Sequence, residues 1–197
     1  NDKDDGVRLA AVSSLSTMYT KLSDYRSSVE AFTLRFEARF LQLCMDVSGP
    51  VASEAIALLG VLVDNELVAL KSVQPLYTLL IDDTASIRQA MAKLVYALSV
   101  RADKPGSGSA KKKAKKPDHK ELEQLLKVLG DLYELSEDPA DVVNCVVDAM
   151  WDITSCLSSW ETLTELVLDD NSKYDDTQIS ILLHVISAAA QKAAGKR

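Results

Sequence analysis

Two stretches of the sequence, "DDGVRLAAVSSL" at residues 4–15 and "DDTASIRQAMAKL" at residues 82–94, share one residue pattern, and this pattern is the main evidence for the predicted fold. Each places two aspartates a few residues ahead of an apolar residue and an arginine. The sequence then continues as an apolar helix in both cases. In the first copy, Val7, Ala11, Leu15 and Met18 are expected to form the buried stripe, with Tyr19 beside it.

Apolar residues follow a helical period along nearly the whole chain. A long helix is predicted from about Tyr25 to Asp46, with Ser23-Asp24 capping its start. Further helices are predicted at 52–63, 70–81, 84–98, 119–135, 139–157, 158–170 and 177–193. Pro75 is expected to lie in a first turn or to kink its helix. The β-branched runs are short and lie inside these helical stretches, so the fold class is all-α.

The aspartate ahead of a helix and the arginine inside it resemble the second helix of a HEAT repeat, where such a pair ties neighbouring repeats together. The two copies are separated by about two repeat lengths. We therefore predict HEAT-like antiparallel helix pairs, stacked as a right-handed superhelical solenoid and belonging to a longer chain. A generic helical bundle stays open as the alternative.

One basic segment interrupts an acidic chain. The net charge is −7, yet six lysines and no acidic residue lie between Lys104 and Lys116. The predicted organisation is a helical block at 1–101, a lysine-rich flexible loop at 102–117 and a second helical block at 118–197. The loop is a solvated spacer, a tether that contacts DNA phosphates or a nuclear-import signal. The lysines for a DNA contact are Lys111, Lys112, Lys113, Lys115 and Lys116.

Catalytic, metal-binding and membrane signatures are missing from the sequence. The histidines His119 and His184 belong to no HExxH-type pattern, and no phosphate-binding glycine loop occurs. We expect no enzyme activity, cofactor, metal or small-molecule substrate. Cys44, Cys145 and Cys156 are predicted to be unpaired structural thiols in a reducing compartment. No apolar stretch is long enough for a membrane helix, and the start has no signal-peptide pattern.

The stretch "FTLRF", residues 32–36, carries the chain's main candidate binding site. Phe32 and Phe36 are four residues apart, so they share one face of a helix, with Arg35 at its edge. An apolar floor with a cationic rim suits an aromatic anchor flanked by acidic residues. Phe40 continues the same stripe and is assigned to the core.

Residues 7–63, from "VRLAAVSSL" through "FTLRF" to "VASEAIALLGVLV", resemble the stromalin conservative domain of the cohesin HEAT-repeat subunits called stromalins. The second block continues the resemblance with "VVDAMWDITSCLSSWETLTELVLDD", which has a Trp-Asp pair and then a Trp-Glu pair ahead of a leucine-rich helix. The "ISAAAQKAAG" stretch also fits. The resemblance covers roughly residues 7–100 and 140–195.

The resemblance implies a non-catalytic nuclear scaffold that binds the kleisin subunit of cohesin, supports sister chromatid cohesion and contacts chromatin or DNA weakly. It also implies a groove for Phe/Tyr-x-Phe motifs of regulators such as shugoshin. The matching groove positions are Ala31, Phe32, Arg35 and Phe36. The family often has leucine in place of Ala31, and its groove uses a tryptophan-containing helix ahead of this segment. The alternative is another HEAT adaptor, such as a condensin-type subunit or a nuclear transport receptor.

Overall fold

The computed structural model describes residues 2–21, 26–102, 117–134, 136–168 and 174–195, and side chains are not described at 26–28, 100–102 and 117–118. These ranges contain nine α-helices and one 3₁₀ segment and no strand. The helices are α1 (Asp5–Thr20), α2 (Arg26–Leu43), α3 (Gly49–Asp64), α4 (Leu70–Val73), α5 (Ala85–Ala102), α6 (Pro117–Tyr133), α7 (Pro139–Met150), α8 (Trp160–Leu168) and α9 (Asp176–Ala193).

The chain forms two compact units, at residues 1–94 and 95–197. Their boundary lies inside α5. The lysine-rich segment, where the sequence suggested a division, lies almost wholly outside the described residues. The division into 1–101, 102–117 and 118–197 therefore stays a prediction.

The first unit is built around α3, against which both α1 and α2 pack. Pro50 lies in the first turn of α3, where its missing N–H costs nothing. Seven of the sixteen residues of α3 are buried, which makes it the most apolar helix of this unit: Val51, Ala52, Ala55, Ile56, Leu58, Leu59 and Leu62. This helix therefore forms the centre of the core, and its neighbours bury one face each.

The buried stripe of α1 lies about one position further along the helix than the sequence predicted. Val7 is 51% exposed and Met18 is 39% exposed, whereas Val12 and Tyr19 are buried. Both sets of residues have helical spacing, so periodicity alone could not choose between them. The face that packs against α3 was decided by tertiary contacts.

Proline divides the helix predicted at residues 70–81. Only Leu70–Val73 is α-helical, and Gln74–Ile81 continues as a 3₁₀ segment with Pro75 in its first turn. Because proline has no N–H, it cannot donate to the carbonyl four residues back, and the tighter winding takes over at this point. The segment still buries Leu76, Leu79 and Leu80.

The second unit has α9 at its centre, in contact with α6, α7 and α8. The side chain of Asp138 caps α7 by accepting from two backbone N–H groups, and Asp175 forms a capping box with Gln178 at the start of α9. The residues between α7 and α8 form turns, so the helix predicted at 139–157 ends at Met150. Trp160, the first residue of α8, is 42% exposed.

The helices pack in the manner of HEAT pairs within each unit. In the first unit α2 packs on its successor α3, and α1 packs on α3 across the pair; in the second, α6 packs on α7 and α7 on α9. The all-α prediction is confirmed, and the contacts fit a HEAT-type arrangement. None of the described helices combines the length and apolar character needed to cross a membrane.

Candidate partner-binding face on helix α2

A buried hydrogen bond fixes the rotation of α2 in the first unit. The Oγ1 of Thr33 is 2.7 Å from the carbonyl oxygen of Val29 and donates its proton there. The Tyr19 hydroxyl on α1 lies 2.6 Å from the same Oγ1 and therefore acts as the donor to it. Thr33 is 1% exposed and Tyr19 is fully buried, so this pair defines the inward face of α2.

The three phenylalanines of α2 divide into one core residue and two surface residues. Phe40 is 4% exposed and meets the ring of Tyr19 edge-on at 6.4 Å between centroids. Phe32 and Phe36 are 40% and 37% exposed. Their rings lie 4.7 Å apart and are tilted by 44°. The core assignment of Phe40 agrees with this placement.

Arg35 lies beside the exposed aromatic pair. Its guanidinium carbon is 5.7 Å from the centroid of the Phe36 ring, which is within the range of a cation–π contact. Ala31, the fourth predicted groove position, is exposed one residue before Phe32. The structure thus brings Phe32, Arg35 and Phe36 together, and we call these three residues with Ala31 the α2 face.

A second cluster ties α1 to the turn that precedes α3. The Nε and Nη2 atoms of Arg8 donate to the two carboxylate oxygens of Asp46 at 2.9 and 2.8 Å. The Nη1 atom of Arg8 donates to the carbonyls of Asp2 and Lys3. The guanidinium holds the pKa of Asp46 below its usual value, chiefly through this side-chain hydrogen bond. The carboxylate partner of Arg8 is therefore Asp46, and not the aspartates just ahead of α1 on which the HEAT resemblance was based.

The second copy of the repeat shares the contacts between the arginine and the backbone carbonyls. The Nη1 of Arg88 donates to the carbonyls of Asp82 and Asp83, six and five residues earlier, as Arg8 does with Asp2 and Lys3. The Asp82 carboxylate accepts the Thr84 N–H. In the first copy, Asp2 accepts from Asp4 in the same way. Asp2 is therefore the counterpart of Asp82, so the Asp-Asp pairs of the two copies are not equivalent.

The remaining predicted residues are dispersed. Lys111, Lys112, Lys113, Lys115 and Lys116 lie outside the described residues. His119 Nε2 is 3.1 Å from Glu165 Oε2, and the Nδ1 of His184 is buried without a hydrogen-bond partner. Cys44 and Cys156 are buried. The described part of the chain has no group of three or more histidine, cysteine, aspartate or glutamate residues placed to hold a metal ion.

The Tyr19–Thr33 pair was not predicted from the sequence. The available signal was a threonine inside an apolar helical stripe, since a buried hydroxyl requires a partner. A hydrogen-bonded group around Glu121 in the second unit was not predicted either, because its partners Tyr96 and Thr154 are distant in sequence. No sequence pattern links these three residues.

Comparison with known proteins points to one family. A family model described as "Cohesin subunit SCC3/SA, HEAT-repeats domain" matches residues 145–197. Sister-chromatid cohesion protein 3 of Arabidopsis thaliana is 29% identical over 200 residues, which cover 100% of this chain and 18% of that protein. Cohesin subunit SA-3 of Rattus norvegicus is 27% identical, and its human counterpart is 26% identical. These alignments cover 98% of this chain and 15% and 16% of the two relatives.

The helix pairs and the arginine–aspartate link define a HEAT-repeat protein. The family model and the relatives narrow this resemblance, because the chain is similar in sequence to the SCC3/SA cohesin subunits named above. The chain spans less than a fifth of the length of the relatives described above.

Proposed function

We propose that this chain is part of a non-catalytic scaffold subunit of cohesin. In this role it binds the kleisin subunit and supports sister chromatid cohesion on nuclear chromosomes. Relatives named as cohesin subunits support the cohesin assignment over a condensin-type subunit or a nuclear transport receptor. A solenoid of helix pairs suits such a role because its repeats offer long surfaces to partner chains.

The α2 face is the proposed docking site for Phe/Tyr-x-Phe motifs of regulators such as shugoshin. The exposed pair Phe32–Phe36 supports this proposal, because two touching phenylalanines at about 40% exposure are an apolar surface that a further aromatic ring can cover. Arg35 adds a cation at the edge, which suits acidic residues beside the motif. The family often has leucine at the position of Ala31, and the smaller alanine leaves more space at this point of the α2 face.

Helix α2 is built to hold this face rigidly. Thr33 and Phe40 are buried on the same helix, and Tyr19 contacts both of them. The exposed rings are therefore fixed relative to the core, which reduces the entropy lost when a peptide binds.

Calorimetry with a Phe-x-Phe peptide tests this proposal, using the full-length subunit in complex with the kleisin because the family groove has another wall. We expect Phe36→Ala to weaken binding by on the order of 2 kcal/mol, as for a hot-spot aromatic. Arg35→Glu should also weaken binding, and less so for a peptide whose acidic flank is neutralised. Normal binding by both variants would refute the α2 face as the site.

Two control variants separate binding from folding. Leu34→Ala changes a side chain of the same helix that is 72% exposed and outside the α2 face, so binding should not change. Phe40→Ala should lower the free energy of unfolding by about 3–5 kcal/mol, since it removes a buried ring. If Phe36→Ala destabilises the protein as strongly as Phe40→Ala, Phe36 acts as core and the proposal fails.

A further inference from the structure

The second unit contains a small pocket that the proposed function does not use. Helices α5 and α6, the end of α7 and the turn after it line this pocket, and most of its surface is apolar. Leu125, Val128 and Met150 are among the apolar residues that line it, and all three are buried. Such a pocket accepts an aliphatic chain without any loss of protein hydrogen bonds.

One carboxylate lies at the polar end of this pocket. Glu121 accepts from the Oγ1 of Thr154 at 2.5 Å through one oxygen and from the hydroxyl of Tyr96 at 3.3 Å through the other. Cys156 donates its backbone N–H to the same Thr154 Oγ1 at 3.2 Å, which holds the threonine in place. These residues all line the pocket, so two hydrogen bonds fix the position of the carboxylate, one to each of its oxygens.

Within the described segments, no lysine, arginine or histidine forms an ion pair with Glu121. Each carboxylate oxygen can accept two hydrogen bonds, and each has one donor here. Burial raises the pKa of Tyr96, and the nearby Glu121 charge raises it further. A half-buried carboxylate of this kind attracts a cation, since a partly desolvated charge gains more from pairing than an exposed one.

The sequence of the unit that contains the pocket is acidic overall. From residue 95 to 197 it has 17 acidic and 13 basic residues. A ligand that combines an aliphatic stem with a positive head matches both the pocket and this field, and the side chain of lysine has this form.

We propose that this pocket binds a lysine side chain of a basic partner polypeptide, with the alkyl stem against Leu125, Val128 and Met150 and the ammonium group on Glu121. The site is independent of the α2 face, because it lies in the other compact unit and uses no aromatic motif.

Methyl NMR of the 197-residue chain tests this inference. The chain has four methionines, and only Met150 lines the pocket. With ¹³C-methyl-methionine labelling, Nα-acetyl-lysine N-methylamide should shift the Met150 signal saturably. The signals of Met18 and Met45, which are exposed in the first unit, should not move. The Nε-acetylated form of the same probe lacks the charge and should bind at least about tenfold more weakly.

Two variants complete the test. Glu121→Gln keeps the shape and the acceptor oxygen but loses the charge, so the lysine probe should bind about tenfold more weakly. Glu123→Gln makes the same change two residues along α6, outside the pocket lining, and should leave binding unchanged. Thermal melts of both variants check that the unit stays folded.

Three results would overturn the inference. The first is the absence of a saturable Met150 shift in the millimolar range, and the second is equal binding of the acetylated probe or of the lysine probe to Glu121→Gln. The third is binding that appears only after residues 103–116 are removed, which would make the chain's own lysines the occupant instead of a partner.

Discussion

Arg8 and Arg88 occupy equivalent positions but have different surroundings. Both donate through Nη1 to the two carbonyls that open their helices. Arg8 also donates through its Nε and Nη2 to the carboxylate of Asp46, whereas the Nε of Arg88 is buried and has no hydrogen-bond partner among the residues that the structure describes. The carbonyl contacts are local and follow from the sequence repeat. The carboxylate contact needs a residue 38 positions away and depends on the packing of α1 against α3.

We predict that Asp46→Asn destabilises the protein in a pH-dependent way. The Arg8 hydrogen bond lowers the pKa of Asp46 in the folded state. The stabilisation is therefore fully present above the unfolded-state pKa of about 3.9, and it is lost as the pH falls through the folded-state pKa. Urea unfolding should give a constant difference between variant and parent from about pH 5 to 8. That difference should shrink in more acidic buffer.

Asp83→Asn provides the control for this experiment. Asp83 is exposed, and its backbone carbonyl, not its carboxylate, accepts from Arg88. The substitution should therefore leave stability nearly unchanged at every pH. A pH-independent loss in Asp46→Asn, or an equal loss in Asp83→Asn, would contradict the role of the Arg8–Asp46 pair.

Burial controls the reactivity of Cys44. Burial raises the pKa of the Cys44 thiol to about 12, so at pH 8 roughly one thiol in ten thousand is ionised. Since the thiolate is the nucleophile, Cys44 should resist iodoacetamide in the native protein and react after unfolding in urea. Cys145, which is only half-buried, should be alkylated sooner. Peptide mapping measures both rates, and native labelling of Cys44 as fast as Cys145 would refute the prediction.

At the scale of the element, α2 shows how one helix divides its side chains between two roles. Thr33 and Phe40 face the core, and Phe32, Arg35 and Phe36 form the α2 face. From the sequence, Phe40 was assigned to the core and Phe32, Arg35 and Phe36 to one exposed face, whereas the burial of Thr33 was not predicted. The sequence did not predict that the Tyr19–Thr33 hydrogen bond would fix the rotation, since the two residues belong to different helices.

Helix α6 carries a glycine that the packing does not require. Gly130 lies within Pro117–Tyr133, and no heavy atom lies within 4 Å of the Cβ that another residue would place there. Gly130→Ala should therefore raise the free energy of unfolding by about 0.5–1 kcal/mol through helix propensity. Chemical denaturation measures the gain.

Gly60 in α3 is the matched comparison for Gly130. A Cβ at this position would come within 3.3 Å of the Cδ1 of Leu94. Gly60→Ala should therefore gain less than Gly130→Ala, because the closer packing offsets the improved propensity. A larger gain in the free energy of unfolding for Gly60→Ala than for Gly130→Ala would contradict this prediction.

At the scale of the whole molecule, charge is distributed unevenly along the sequence. Six lysines lie between Lys104 and Lys116, and the rest of the chain has 16 basic and 29 acidic residues. An acidic protein repels DNA, so any contact with DNA phosphates should depend on this segment. Its lysines lie outside the described residues, and their role stays a prediction from sequence.

We predict that these lysines make salt-sensitive DNA contacts. Replacing Lys111, Lys112, Lys113, Lys115 and Lys116 by serine keeps the length of the chain and removes the charge. Fluorescence anisotropy with duplex DNA should show weaker binding at low salt and a log–log salt slope reduced by up to about 0.9 per lost contact. If the affinity for duplex DNA at low salt is unchanged, the DNA-contact hypothesis is wrong and the segment is a spacer.

The sequence alone was sufficient to predict where most helices lie. Helix positions followed from the apolar period. Pro50 lies in the first turn of α3, and the side chains of Asp138 and Asp175 accept backbone N–H groups at the starts of α7 and α9. These features depend on residues within about one turn of each other, so they can be read from a single segment. The repeated arginines also pointed to HEAT-like pairs before any contact was known.

Tertiary structure alone decided which faces the helices bury and where irregular segments replace them. On α1 two stripes fit the helical period equally well, and packing against α3 buried Val12 and Tyr19 in place of Val7 and Met18. Residues 151–159 form turns although their pattern continues α7, and this bend places Thr154 on Glu121. Periodicity constrains the angle of a side chain around its own helix axis, whereas burial depends on where the neighbouring helix lies.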